Sequence, residues 1–197
     1  MNATLQDRQD IADLMTGWIH RDLGEWDRLK GLFHPDSRIE ITWFEGPAYD
    51  FVDASARMAS SAFGTKHLIS TPVVTFSTDG TCAVSETNAV VIGENVDLRL
   101  GCEGHNRFID RLEKRDGAWR ISDRKSVYDF GTFTFPSGPV DIDAEAAGRY
   151  PREYAALAYL LEVSGFPVSR IFATKGSGLE RDMKQSAFTW LGEQEKY

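Results

Sequence analysis

The chain of 197 residues has few of the side chains that build metal centres or disulfide frameworks. It holds only two cysteines, Cys82 and Cys102, and four histidines. The cysteines lack Cys-x-x-Cys spacing, and the histidines show no spacing typical of metal ligands. We therefore expect no metal site, and we expect both cysteines to be reduced and buried in the core.

Long apolar runs and an excess of positive charge are also missing. No apolar stretch approaches the ~18 residues that span a bilayer. The first residues lack the basic start and apolar segment of a signal peptide. A net charge of −8 disfavours nucleic acid and anionic membrane surfaces as partners. These features predict a soluble, cytoplasmic protein without a nucleic-acid or membrane partner.

Cofactor-binding motifs are absent as well. The sequence contains no glycine-rich dinucleotide fingerprint. Lys175-Gly176-Ser177-Gly178 lacks the residue order and the preceding strand of a phosphate-binding loop. The sequence therefore predicts a protein that works without a cofactor.

The first predicted helix carries one residue that does not fit its apolar pattern. Thr4 and Asp7 are typical of a helix-capping box. The apolar stripe that follows consists of Ile11, Leu14, Met15, Trp18 and Ile19. Asp22 follows Trp18 by four residues and therefore falls on this stripe. Because an aspartate is rarely buried without a partner, Asp22 is a candidate functional residue.

Hydrophobic periodicity and turn residues predict an α+β fold. Further helices are predicted over 25–33, about 51–63, 151–162 and 179–190, and strands over 38–44, 67–76, 82–92, 98–112 and 119–128. Helices followed by a run of antiparallel strands favour α+β over alternating βαβ units. Residues 129–139 are predicted to form a loop. We divide the chain into a domain (1–135) and a C-terminal helical extension (136–197) that packs on the domain or on a partner subunit.

Three segments together resemble one protein family. They are DRQDIADLMTGWIHRDLGEWDRLKGLFHPDSRIEI, TKHLIS and GHNRFIDRLEKRDGAWRISDR, in this order. Their residues and spacing are similar to the SnoaL-like branch of the nuclear transport factor 2-like superfamily, to which scytalone dehydratase is related. The resemblance covers residues 5–135 and implies a cone-shaped, curved antiparallel or mixed sheet that encloses a pocket with the N-terminal helices. It also implies a homodimer.

The resemblance further implies an Asp–His pair. Family enzymes that eliminate water or chloride take the aspartate from the end of the first helix and the histidine from a Thr-x-His strand start. The matching residues here are Asp22 and His67. Histidine is suited to proton abstraction near neutral pH, and a carboxylate on its other ring nitrogen fixes the tautomer. The alternatives are a strand-end histidine satisfied by the backbone and an aspartate that caps a loop.

The sequence departs from scytalone dehydratase at several pocket positions. Arg21 and Ile41 stand where that enzyme has tyrosines, and its second catalytic histidine falls near Val91, where this chain has none. Scytalone is therefore not expected as the substrate. Arg21 is a candidate for holding a substrate oxygen or carboxylate, with a surface salt bridge as the alternative.

Other candidate substrate-binding residues lie on predicted strands or on the first helix. Asn106 and Phe108 share one face of their strand and match pocket positions of the relative. His105 points to the opposite face unless a bulge turns it inward, in which case it becomes a second acid–base group. Trp18 and Trp43 are candidates for stacking on an aromatic ligand, with core packing as the alternative.

These residues predict a cofactor-independent lyase acting on a small hydroxylated aromatic or cyclic compound by dehydratase-type proton abstraction and elimination. A retro-aldol lyase that releases a small aldehyde such as formaldehyde needs the same base, and so does a double-bond isomerase. A non-catalytic small-molecule binding module is the alternative from a different class, since a fold does not by itself grant activity.

Overall fold

The structure, a computed structural model, describes residues 3–193. Its helices are α1 (Leu5–Thr16), α2 (Ile19–Asp22), α3 (Trp26–Gly31), α4 (Ala48–Met58), α5 (Ala144–Ala147), α6 (Ala155–Val163) and α7 (Gly178–Glu193). Its strands are β1 (Phe33–Ile41), β2 (Phe44–Pro47), β3 (Phe63–Ile69), β4 (Val73–Phe76), β5 (Cys82–Asn95), β6 (Leu100–Arg115) and β7 (Ala118–Thr134). Within the described range, every helix is too short or too polar to span a bilayer.

The strands form one mixed, seven-stranded sheet in the order β2-β1-β7-β6-β5-β3, with β4 also paired to β5. β1 runs parallel to β7, and the other neighbours are antiparallel. The sheet is strongly curled, and the N-terminal helices cover its concave face. The structure therefore confirms the predicted α+β cone.

The predicted capping box starts α1. The Asp7 amide donates to the Thr4 hydroxyl (3.1 Å), and the Thr4 amide donates to the Asp7 carboxylate (2.8 Å). The helix ends at Gly17, where an added Cβ would lie only 2.7 Å from the Leu32 side chain. The absence of a side chain at Gly17 lets the chain pass close to Leu32 before α2 begins and carries Asp22 to the sheet.

Three apolar clusters hold the elements together. The first lies between α1–α4 and the concave face of the sheet and includes Ile11, Phe51 and Phe108. In the second, α6 packs on the sheet around Cys102 and Tyr128. The third cluster joins α7 to the outer face of the sheet. Its members on β5, β6, β7 and α7 are Cys82, Val84, Ile109, Val127, Ala187 and Leu191. Each fully buried large apolar side chain contributes roughly 1.5–3 kcal/mol.

Both cysteines are buried and unpaired, as predicted. Burial raises the thiol pKa of Cys102 to about 12, and it also raises the pKa of Cys82.

Several predicted boundaries in the middle of the chain are wrong. α4 ends at Met58, and Gly64 lies in β3, where it pairs with Glu94 of β5. β5 therefore continues to Asn95, beyond the predicted strand 82–92. The predicted strand 67–76 is divided into β3 and β4 because Pro72 lies in the break and lacks the N–H that a continuous ladder needs.

The sheet edges also differ from the prediction. β1 begins at Phe33, earlier than the predicted strand 38–44, and a register shift between Phe33 and Arg38 accommodates Pro35. β7 continues to Thr134, where it pairs with Gly101 of β6, so the predicted loop 129–139 is shorter. Asp116 and Gly117 form the turn between β6 and β7, a residue pair typical of hairpin turns, and both have positive φ angles (52° and 81°).

The C-terminal extension packs on the cone. The segment before α7 bonds to the middle of β7, since the Tyr128 amide donates to the Ala173 carbonyl and the Lys175 amide donates to the Tyr128 carbonyl, both at 2.9 Å. The domain boundary at 135/136 remains a prediction, and residues 1–2 and 194–197 of the two predicted ranges lie outside the described residues.

Candidate functional site

A cavity opens between the N-terminal helices, the concave face of the sheet and α6. The space between its wall atoms, with the open solvent at its mouth included, is about 480 Å³, and about 50 Å³ of it has room for the centre of a water-sized molecule. The predicted site residues that line it are Trp18, Arg21, Trp43, His67, Asn106 and Phe108. The fold therefore brings together residues from α2, β3, β6 and the segments beside α2 and β1.

Asp22 and His67 are in direct contact at the cavity. The Asp22 Oδ1 atom lies 2.6 Å from His67 Nδ1, and its Oδ2 atom accepts the His67 backbone N–H at 2.7 Å. The Asp22 side chain is 2% exposed and the His67 side chain 10%. A carboxylate accepts only, so this contact places the proton of a neutral imidazole on Nδ1 and leaves Nε2 as an acceptor.

Burial controls the protonation of His67. Desolvation lowers the His67 pKa below its usual value, the hydrogen bond from His67 to Asp22 opposes this shift, and the positive charges of Arg21 and Arg124 add to it. The net lowering keeps the imidazole neutral at pH 7. A neutral, buried imidazole with a free Nε2 is the form that a general base requires.

Arg21 is a buried cation beside this pair. The residue is 8% exposed, and its Nη1 donates to the Thr65 hydroxyl while Nη2 lies 3.4 Å from the Met58 sulfur. Its guanidinium carbon lies 5.9 Å from the centroid of the Trp43 ring. Burial lowers the Arg21 pKa to about 10, so the side chain remains charged at pH 7.

Trp18 and Trp43 form the aromatic part of the wall. Trp18 stacks on Phe51 (5.6 Å between centroids, 15° between planes) and meets His67 edge-on at 6.0 Å. Trp43 lies in the turn between β1 and β2 and contacts Phe51 at 5.6 Å. Trp18 is 1% exposed and belongs to the core cluster, as the core-packing alternative predicts, while its stacking on an aromatic ligand stays a prediction.

The strand β6 separates the two faces as its alternation predicts. Asn106 and Phe108 face the cavity and are 5% and 3% exposed. Among described residues, none forms a hydrogen bond with the Asn106 side chain, which leaves its amide available to a ligand.

His105 does not line the cavity, which corrects its place among the substrate-binding candidates. Its ring stacks on Phe130 (4.1 Å) and its Nε2 bonds to Glu103 (2.9 Å) on the outer face. A bulge does occur beside it, but the extra residue is Asp129 of β7, so β6 keeps its alternation.

Sequence reasoning missed several residues of the wall. They are Thr42, Thr65, Ser126, Tyr128, Leu157 and Leu161. Alternation along β7 could have identified Ser126 and Tyr128, because they share a face. The Tyr128 hydroxyl accepts the Thr42 N–H (3.1 Å), and burial raises its pKa. Leu157 and Leu161 come from α6, so the extension supplies part of the wall.

A buried ion pair lies beneath this wall. Arg124 donates to Asp110 through Nε (2.7 Å) and Nη2 (2.8 Å), and both side chains are fully buried. The Arg124 guanidinium lies 4.3 Å from the Phe108 ring centroid and 4.7 Å from that of Trp18. Arg124 therefore supports the wall from below, and its positive charge also acts on His67.

Within residues 3–193, no three His, Cys, Asp or Glu side chains are arranged to hold a metal ion.

Comparison with known sequences identifies the family and two fungal relatives. The model of the SnoaL-like domain family matches residues 3–125, more than half of the chain. An uncharacterised protein of Aspergillus terreus is 29% identical over 177 residues, which cover 79% of this chain and 65% of that protein. The uncharacterised protein AN9274 of Emericella nidulans is 28% identical over 174 residues, covering 80% and 71%. The chain thus spans just under two thirds of the Aspergillus protein.

Solved structures share the fold at low sequence identity. A candidate scytalone dehydratase of Novosphingobium aromaticivorans aligns with a TM-score of 0.58 at 20% identity, over 70% of this chain and 97% of that chain. The hexachlorocyclohexane dehydrochlorinase LinA-type3 of Novosphingobium barchaimii aligns with a TM-score of 0.58 at 18% identity, over the same shares. These structures have the cone fold of the nuclear transport factor 2-like superfamily. Together with the match over residues 3–125, they show that the chain belongs to the SnoaL-like domain family.

Proposed function

We propose that this protein is a cofactor-independent lyase that removes water from a small hydroxylated aromatic or cyclic compound. The observation that carries the proposal is the 2.6 Å contact between Asp22 and a neutral His67 at an aromatic cavity. Structural neighbours named as a dehydratase and a dehydrochlorinase support a lyase of this type.

The reaction begins at His67. Its Nε2 takes a proton from a carbon next to a carbonyl group or an aromatic ring, and Asp22 balances the charge on the imidazolium. The electron pair of the broken C–H bond forms a double bond, and the hydroxyl group on the neighbouring carbon leaves. The imidazolium returns its proton to this group, so water is released and His67 becomes neutral again.

Two side chains support the oxygens of the substrate. The Asn106 amide, which is free of protein partners among the described residues, donates to the departing hydroxyl. Arg21 donates to a second oxygen of the substrate and stabilises negative charge that develops there. Trp18 and Trp43 hold the ring of the substrate in place.

The first experiment incubates the purified protein with a panel of hydroxylated aromatic and cyclic compounds and follows product masses. We expect loss of water from at least one compound, and His67→Ala abolishes it. His20→Ala is the matched control, because His20 pairs with Glu25 (2.6 Å) outside the cavity. Circular dichroism confirms that each variant is folded.

Other outcomes contradict the proposal in different ways. Release of formaldehyde identifies a retro-aldol lyase, and an unchanged mass with altered retention identifies an isomerase. Turnover that survives in His67→Ala overturns the mechanism. Compounds that bind without reacting identify a binding module.

A further inference from the structure

The charge of Arg21 is poorly compensated by the protein. Its Nη1 has a hydroxyl partner, Nη2 has only a thioether sulfur, and Nε has no partner although it is fully buried. The negative charge of Asp22 acts on Arg21, but both Asp22 oxygens bond to His67. A buried guanidinium without a bonded carboxylate is costly, because burial removes its hydration.

Two other buried or half-buried arginines show how this protein normally treats the charge. Arg124 makes a two-point contact with Asp110. Arg107 bonds to Asp129, Glu86 and Glu180, three carboxylates. Arg21 differs from both in having no salt bridge with a carboxylate in the described residues, and it differs in facing the cavity.

We propose that the ligand of this cavity is an aromatic compound with an anionic oxygen, a carboxylate or a phenolate, which Arg21 binds. This inference rests on the proposed function in one respect only, namely that the cavity is the substrate site. The planar guanidinium matches a carboxylate at two points, and Trp43 beside it offers a face for the ring.

The strand β3 sets where the anionic oxygen lies relative to the base. Arg21 bonds to Thr65, which stands two residues before His67 on the same face of β3. Two residues of a strand span about 7 Å. This distance is close to the length of an aromatic ring with one substituent. The anionic group therefore occupies one end of the ring and the reacting group the other.

Binding of benzoate, with benzamide as its neutral counterpart, tests the inference by isothermal titration calorimetry. We expect benzoate to bind the protein at least about tenfold more tightly than benzamide. Arg21→Gln weakens benzoate about 10- to 100-fold and leaves benzamide unchanged. Arg21→Lys retains part of the affinity because it keeps the charge but not the planar fork. Arg120→Gln is the matched control, since Arg120 is exposed on β7 and loses the same charge.

The two sources of an anionic oxygen are separated by 4-nitrophenol, whose phenolate absorbs visible light. Growth of the phenolate band on binding at neutral pH, lost in Arg21→Gln, identifies a phenolate site. Selective binding of benzoate alone identifies a carboxylate site. Equal binding of benzoate and benzamide, unchanged benzoate affinity in a folded Arg21→Gln variant, or no binding of either anion overturns the inference.

The outcome of these binding experiments can be separated from the outcome of the test for lyase activity. Arg21-dependent binding without turnover of any compound supports the anion site and contradicts the lyase. If turnover requires His67 but no anion binds in a way that depends on Arg21, the lyase is supported and the anion site is contradicted.

Discussion

A single carboxylate fixes both the backbone and the ring of His67. Asp22 accepts the His67 amide with one oxygen and contacts Nδ1 with the other, at 2.7 and 2.6 Å. The first contact holds β3 against the end of α2, and the second fixes the orientation and the tautomer of the ring. Asp22 is therefore a positioning residue in the proposed reaction, and His67 is the residue that contacts the substrate.

Asp22→Asn removes the charge and places an amide donor against one of these two N–H groups. We expect kcat to fall by about 10²- to 10⁴-fold, as when a histidine is held in the wrong tautomer. Because Asp22 raises the His67 pKa against the effect of burial, its loss lowers that pKa further. The acid limb of kcat/KM against pH then moves to lower pH.

The control for this experiment is Asp27→Asn, an exposed position at the start of α3. An unchanged acid limb in Asp22→Asn, with the activity reduced, would show that a group other than His67 controls the profile.

At the scale of elements, one arginine fastens the last helix to the sheet. Arg107 on the outer face of β6 bonds to Asp129 of β7, Glu86 of β5 and Glu180 of α7. The Arg107 side chain is 13% exposed and that of Glu180 10%. Lys184 joins the cluster through Glu86 at 2.9 Å. The apolar contacts of α7 with the sheet lie beside this cluster.

Arg107→Ala leaves three carboxylates close together without their common partner. We expect the free energy of unfolding to fall by about 2–4 kcal/mol, because the pairs are largely but not fully buried. Hydrogen exchange measures the local effect, with faster exchange expected in α7 than in α1.

Arg181→Ala serves as the matched control, since Arg181 is exposed on the same helix and its side chain, among residues 3–193, bonds only to the Gly176 carbonyl. An equal loss of stability in both variants would mean that net charge, and not the cluster, is responsible.

The sequence predicts those elements whose signals are local. The capping box of α1 and the Asp116-Gly117 turn each depend on residues that are close in the sequence, so the residue types alone predict them. The hydrogen bonds of the box and the positive φ angles of the turn agree with this. The Asp22–His67 contact joins α2 to β3. No local pattern relates these two residues, so the contact was predicted from the family resemblance. The anomalous aspartate on an apolar stripe was the local sign that a partner existed.

Features that depend on distant strands were not predictable in this way. β7 extends to Thr134 because the start of β6 offers it a partner there. The bulge at Asp129 affects the strand next to His105, so alternation within β6 does not reveal it. In the sequence, Leu157 and Leu161 form an ordinary apolar helix face. They become cavity residues only because α6 packs on the sheet.

At the scale of the whole molecule, the outer face of the sheet is only partly covered. α7 packs on one part of β5 and β6. Beyond α7, four residues on neighbouring strands pair one with the next and form a row on the outer face. They are Leu68 of β3, Val90 of β5, His105 of β6 and Phe130 of β7. Leu68 and Phe130 are each 56% exposed, which is high for large apolar side chains.

We expect a homodimer, as the family resemblance implies, with this row at the contact between the two copies. Light scattering after size-exclusion chromatography measures the mass, and Phe130→Asp is expected to convert dimer to monomer. Phe188→Asp on α7, where Phe188 is 48% exposed, is the matched control. A monomeric unaltered protein, or a dimer that persists in Phe130→Asp, would contradict this arrangement.

The parallel pairing of β1 with β7 has a consequence for synthesis on the ribosome. Asp22 and His67 emerge early, but β1 gains its second neighbour only when the last strand of the sheet has been translated. The cavity is closed later still, by Leu157 and Leu161. A nascent chain thus exposes the apolar faces of α1 and β1 until most of the protein is made. We therefore expect chaperones to bind the nascent chain during translation. We also expect little soluble product from messages that stop before α6.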